Sequence, residues 1–221
     1  MSKTTVVLSV LLAVLPVAGQ ERWADPPIAL YTSFQQPVPS EVFQSLQDEL
    51  DDLMVPAMMH LEWRSLAGLT GSEISSELAV VKFLGRCDVG GLAMKAAHPD
   101  ALGWTHVSDG VILPFADVDC GRIRQFVQKD LMFFHTSERE GVFGRAVARV
   151  LAHELFHIFT QTAHHGSEGV GKSAFTVQEL LSDSFQFHGK EAGMLQLMAI
   201  HVNPAPAERA LSATSVTAPP L

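Results

Sequence analysis

Hydrophobic and polar positions alternate along the chain with changing period, and each change of period predicts an element. Val42, Phe43, Leu46, Leu50 and Leu53 recur at helical spacing. They predict an amphipathic helix capped by Ser40 and ended by Pro56. The acidic run Glu49-Leu50-Asp51-Asp52 then belongs to its solvated face. Residues 59–65 alternate, with Leu61 and Trp63 on one side, and read as a strand. Residues 75–84 read as another, centred on Leu78, Val80, Val81 and Phe83. Residues 104–115 predict a hairpin, because Ser108-Asp109-Gly110 is a turn signal before the apolar Val111-Ile112-Leu113. A short helix is expected over 121–132.

From about 143 to 163 the pattern changes again. Val147, Val150, Leu151, Leu155, Ile158 and Phe159 make this segment apolar on most faces, which predicts a buried helix. A glycine-containing loop follows over 164–175. A last helix over 176–200 is expected to break at Gly189 or Gly193. Phe185, Phe187, Met194, Leu195 and Met198 read as core. The order of elements predicts an α+β domain, a mixed sheet backed by one helix and covered by another.

The flanks differ from this domain. Lys3 precedes an apolar stretch over 6–17, and Val17-Ala18-Gly19 offers a cleavage point before Gln20, so 1–19 reads as a signal peptide. The stretch falls short of the roughly 20 apolar residues that a membrane span needs. Residues 20–39 read as an extended lead-in, 40–203 as the domain, and the Pro-, Ala-, Ser- and Thr-rich 204–221 as a disordered tail. A secreted or periplasmic, extracytoplasmic location follows, with no stable membrane span after cleavage.

Composition narrows the function. The chain has 221 residues, enough for one domain with a substantial core, and 47% of them are hydrophobic. Its formal net charge of −9 argues against a nucleic-acid partner, which would need a basic surface. Export also makes the two cysteines readable, since Cys87 and Cys120 would pair in an oxidising compartment.

The chemistry lies in the buried helix, as His153-Glu154-Leu155-Phe156-His157. Histidines at i and i+4 share one helix face, where both imidazoles can reach a single Zn²⁺. Glu154 stands beside that face, placed to take a proton from a metal-activated water. Three ionisable side chains in an apolar helix are costly to bury without partners, and a metal would be such a partner. The expected reaction is attack of water on a polarised carbonyl, in a monomer acting on a peptide or protein. The lone His60, His98, His106, His135 and His201 carry no such pattern.

This motif and its downstream stretch, 148–183, resemble the zincin metallopeptidases. The resemblance implies a zincin-like fold with a buried active-site helix, and a rim strand able to pair with an extended peptide. Residues 111–115 are the expected rim. It also leaves two third ligands open. In a metzincin-like site a third histidine follows a turn. Here Thr160 stands where that pattern has glycine and Ala163 where it has histidine, so a chain turning back near Thr162 would have to bring in His165. Gly171 stands where some such proteins place a methionine. In a gluzincin-like site Glu179 of Glu179-Leu180-Leu181-Ser182-Asp183 would be the ligand, although Thr176-Val177-Gln178-Glu179 also reads as a capping box. His165 is the preferred ligand and Glu179 the alternative. Asp183 is expected to orient a ligand histidine under either reading. His164, His188 and Arg149 are candidates for oxyanion stabilisation, and Tyr31, the only tyrosine, is a poor one. A zincin-like module that binds metal and a partner without catalysis is the alternative function.

Overall fold

The computed structural model describes residues 27–202, except 96 and 98. The signal peptide, the tail after 202 and His98 fall outside the described residues. Five strands form one sheet: β1 (Ile28–Phe34), β2 (Leu61–Ser65), β3 (Glu77–Leu84), β4 (Gly103–Ser108) and β5 (Val111–Asp119). Their spatial order is β2-β1-β3-β5-β4, parallel throughout except for the antiparallel β4–β5 hairpin. The helices are α1 (Ser40–Met54), α2 (Cys120–Leu131), α3 (Arg139–Thr160), α4 (Val177–Leu181) and α5 (Gly189–Val202). The domain is therefore α+β with a mixed sheet.

Alternation sends Ala79, Val81 and Phe83 of β3 and Ala116 and Val118 of β5 into the core, beside Ile28 and Leu30 of β1. Val42, Leu46, Leu50 and Leu53 of α1 join the same core. From Val142 to Phe159 every residue of α3 except Arg145 is buried. That is the environment its all-round apolar pattern predicts, for α3 touches α1, α2, α4, α5, β4 and β5. Its close approach to α1 depends on Gly144, where a Cβ would lie 2.5 Å from the Val42 carbonyl oxygen.

Several expectations are corrected. Segment 20–39 contains β1, which lies inside the sheet between β2 and β3. A parallel strand buried on both faces reads as a continuous apolar run, here Ile28-Ala29-Leu30-Tyr31, so alternation does not reveal it. Ser40 opens α1 but makes no capping hydrogen bond, the cap position being Pro39. The hairpin turn is as expected, with positive φ at Asp109 (51°) and Gly110 (79°). The rim strand, however, is β4. Residues 115–119 of β5 pair with β3 as well, which leaves β4 at the edge. The last helical segment breaks over 182–188, ahead of Gly189, because the final carbonyls of α4 are taken elsewhere. Arg149 donates to the carbonyls of Glu179 (2.8 Å) and Leu180 (3.1 Å), and the Ser182 hydroxyl donates to that of Glu179 (3.0 Å).

Cys87 and Cys120 are joined by a disulfide, as expected. The bond ties the chain after β3 to the first turn of α2 and closes a loop that carries β4 and β5. Among the described residues, no helix is long and apolar enough to cross a membrane.

Candidate metal centre

Helix α3 presents His153 and His157 one turn apart, both buried. Each Nδ1 faces a backbone carbonyl, that of Val170 at 2.8 Å from His153 and that of Thr162 at 2.6 Å from His157. A carbonyl oxygen can only accept, so each Nδ1 carries the proton and donates it. In a neutral imidazole this leaves the Nε2 lone pair free. The two Nε2 atoms lie 3.1 Å apart. Two lone pairs at that distance repel unless a cation or proton lies between them. Two ligands at adjacent corners of a zinc tetrahedron would be about 3.3 Å apart. Burial lowers the pKa of His153 to about 4, partly offset by the Val170 hydrogen bond and reinforced by the neighbouring histidines. Burial likewise lowers that of His157. Both rings are thus neutral at pH 7, the state in which imidazole binds a metal.

The third histidine arrives through a reversal of the chain. Helix α3 stops at Thr160, and Gln161 adopts a left-handed conformation (φ 51°, ψ 37°). The next residue, Thr162, supplies the carbonyl that holds His157. His165 then lies against both other rings, with centroids 5.2 Å from His153 and 4.8 Å from His157. One ring nitrogen from each of His153, His157 and His165 lies within 4.8 Å of the others. The three histidines could hold a metal ion, and their convergent nitrogens suit one.

The loop after His165 is built to return. The Gly166 N–H donates to the Gly171 carbonyl at 2.8 Å, and between them Val170 turns its own carbonyl to His153. Gly169 sits at φ 61° on the Gln186 carbonyl, too close for any Cβ. One short excursion therefore supplies a ligand and both orienting carbonyls.

Glu154 is buried beside the histidines. Burial pushes its pKa up to about 7, against the lowering effect of hydrogen bonds from Thr105. The Thr105 hydroxyl lies 2.8 Å from Oε2 of Glu154 and 3.2 Å from its backbone carbonyl oxygen. Glu154 and the three histidines open on a cleft of about 480 Å³. Residues 103–105 of β4 form one wall, while Phe126, Val150 and Phe175 give it apolar surfaces.

Other expected site residues lie elsewhere. Glu179 is not among the grouped ligands. Its Oε1 meets Lys172 at 2.5 Å, and its Oε2 accepts from the Thr176 N–H and hydroxyl in the capping box. Burial alone would raise the Glu179 pKa, but these partners hold it below its ordinary value. Asp183 is exposed, 3.6 Å from Arg145, and orients no histidine; backbone carbonyls do that. Arg149 is fully buried against Glu49 of α1 at 2.6 Å. His164 is exposed, and His188 packs on Gly169. None of the three lines the cleft, nor does Tyr31, which is buried in the sheet near Arg64. His60, His106, His135 and His201 also lie off it, with His106 paired to Asp117 at 2.7 Å. Sequence reasoning missed Thr162, Val170 and Thr105. The first two act through backbone atoms, which carry no residue-type signal. Thr105 is identified only by the packing of β4 on α3.

No family model matches the chain, and no match is found among curated proteins or solved structures.

Proposed function

We propose that this protein is an exported zinc-dependent hydrolase, a peptidase of the zincin type. The observation that carries this reading is the convergence of the His153 and His157 Nε2 atoms and His165 beside the buried carboxylate of Glu154. His153, His157 and His165 hold the ion, and three nitrogen ligands suit a catalytic zinc, which needs an open position. Zinc bound there would supply Lewis acidity and lower the pKa of water. Glu154 takes a proton from the attacking water and passes it to the departing amine. The edge strand β4 lies along the cleft, where an extended peptide can add to the sheet. The disulfide supports an oxidising compartment, and the apolar leader over 6–17 supports export.

A second reading, a module that binds metal and a partner without cutting it, has one observation in its favour. Among the described residues lining the cleft there is no tyrosine, arginine or lysine to steady an oxyanion. Glu154→Gln separates the two readings. The peptidase reading expects the variant to keep its metal but lose cleavage of a quenched fluorescent peptide library by 100-fold or more, a general base being worth about 10²–10⁴-fold. Cleavage unchanged in the variant would contradict the role of Glu154. A zinc-loaded wild type that cleaves no peptide would favour the binding module.

A further inference from the structure

Strand β4 does more than border the cleft, because two of its residues flank the two oxygens of one carboxylate. The Thr105 hydroxyl meets Oε2 of Glu154 at 2.8 Å. On the other side, a Cβ at Gly103 would stand 3.1 Å from Oε1, 3.0 Å from a methyl of Val150 and 3.1 Å from the Asp117 carbonyl oxygen. The glycine therefore leaves room for an oxygen that any larger residue would crowd. Oε2 takes the Thr105 hydroxyl, the Thr105 backbone N–H also supports the carboxyl group, and Glu154 lines the cleft.

We propose that Thr105 and Gly103 are positioning residues that hold the Glu154 carboxylate in the cleft, facing the attacking water. The inference rests on the peptidase reading and adds to it a role for the edge strand. The Thr105 hydroxyl has one proton and two acceptors, Oε2 and the Glu154 backbone carbonyl at 3.2 Å. While Glu154 is ionised, the charged oxygen is the stronger acceptor and receives the hydroxyl's hydrogen bond. When water attacks, one of its protons passes to the carboxylate, the electron pair of that O–H bond remains on the oxygen that bonds to the carbonyl carbon, and the carbonyl π pair moves to the carbonyl oxygen. The two contacts from Thr105 fix the carboxyl group and the backbone of Glu154 to the edge strand.

The test uses full-length, zinc-loaded protein and the best-cleaved member of a quenched fluorescent peptide library. Thr105→Val should lower kcat about 10- to 100-fold, the range typical of partners that orient a reacting group. KM should stay within about twofold, and zinc stoichiometry and melting temperature should be retained. Thr105→Ser, which keeps the hydroxyl, should restore most of kcat. Wild-type kcat in Thr105→Val would overturn the inference while leaving the peptidase reading intact. So would a loss that Ser does not rescue and that tracks loss of zinc or of melting temperature, since that marks a purely structural role. Failure of the wild type itself to cleave any peptide would remove the peptidase reading and this inference together.

Discussion

At the scale of single residues, the helix that carries the site also holds the most deeply buried cation of the fold's interior. Arg149, one turn before His153, bonds Glu49 of α1 and three groups at the end of α4. Removing one partner of a buried pair leaves the other charge without compensation, at a cost of about 3–5 kcal/mol. Arg149→Met should therefore lose about that much stability in urea unfolding. Replacing both partners, as in Glu49→Leu with Arg149→Met, should lose less. A single variant as stable as wild type would show that the pair does not join α1 to α3 energetically. At the metal centre, the core of the site was readable from spacing, since i and i+4 on a helix forces His153 and His157 onto one face. The choice between His165 and Glu179 was not. It depends on a left-handed turn at Gln161, a residue type that does not announce such a conformation.

At the scale of elements, hydrophobic periodicity is a good guide wherever one face of an element meets solvent. Amphipathic α1 and the β4–β5 hairpin belong to that class. Period failed for β1, which is buried on both faces, and for the end of α4, where a distant arginine takes the carbonyls that would have continued the helix. Packing between elements is equally invisible to period. The α1–α3 contact is close at Gly144, where an added Cβ would meet backbone that cannot yield cheaply. Gly144→Ala should destabilise the domain by about 1–3 kcal/mol, the usual cost of overpacking, despite the better helix propensity of alanine. A rise in the urea midpoint would mean the helices separate there without penalty.

At the scale of the whole molecule, two features tie loops to the packed elements. The disulfide ties down the loop bearing the β4–β5 hairpin, and a metal ion held by the three histidines would tie the loop after α3 to that helix. In the chain-entropy picture the first is worth about 3–4 kcal/mol. Cys87→Ser with Cys120→Ser should lower the melting temperature by about 10 °C, at roughly 2–4 °C per kcal/mol for a domain of this size. An unchanged melting temperature would show that the hairpin is held by packing alone. The second link should respond to metal. An ion at 100 times its dissociation constant adds about 2.7 kcal/mol, so chelation should lower the melting temperature by about 5–10 °C. No change would point to an apo-stable loop and to weaker coupling between metal and fold.

The most direct measurement is the metal content of the purified protein, taken for the wild type, His165→Ala and Glu179→Ala after equilibration with zinc. The account predicts one equivalent of zinc in the wild type and in Glu179→Ala, and its loss in His165→Ala. Zinc lost with Glu179 and retained without His165, or no zinc in any of the three, would contradict it.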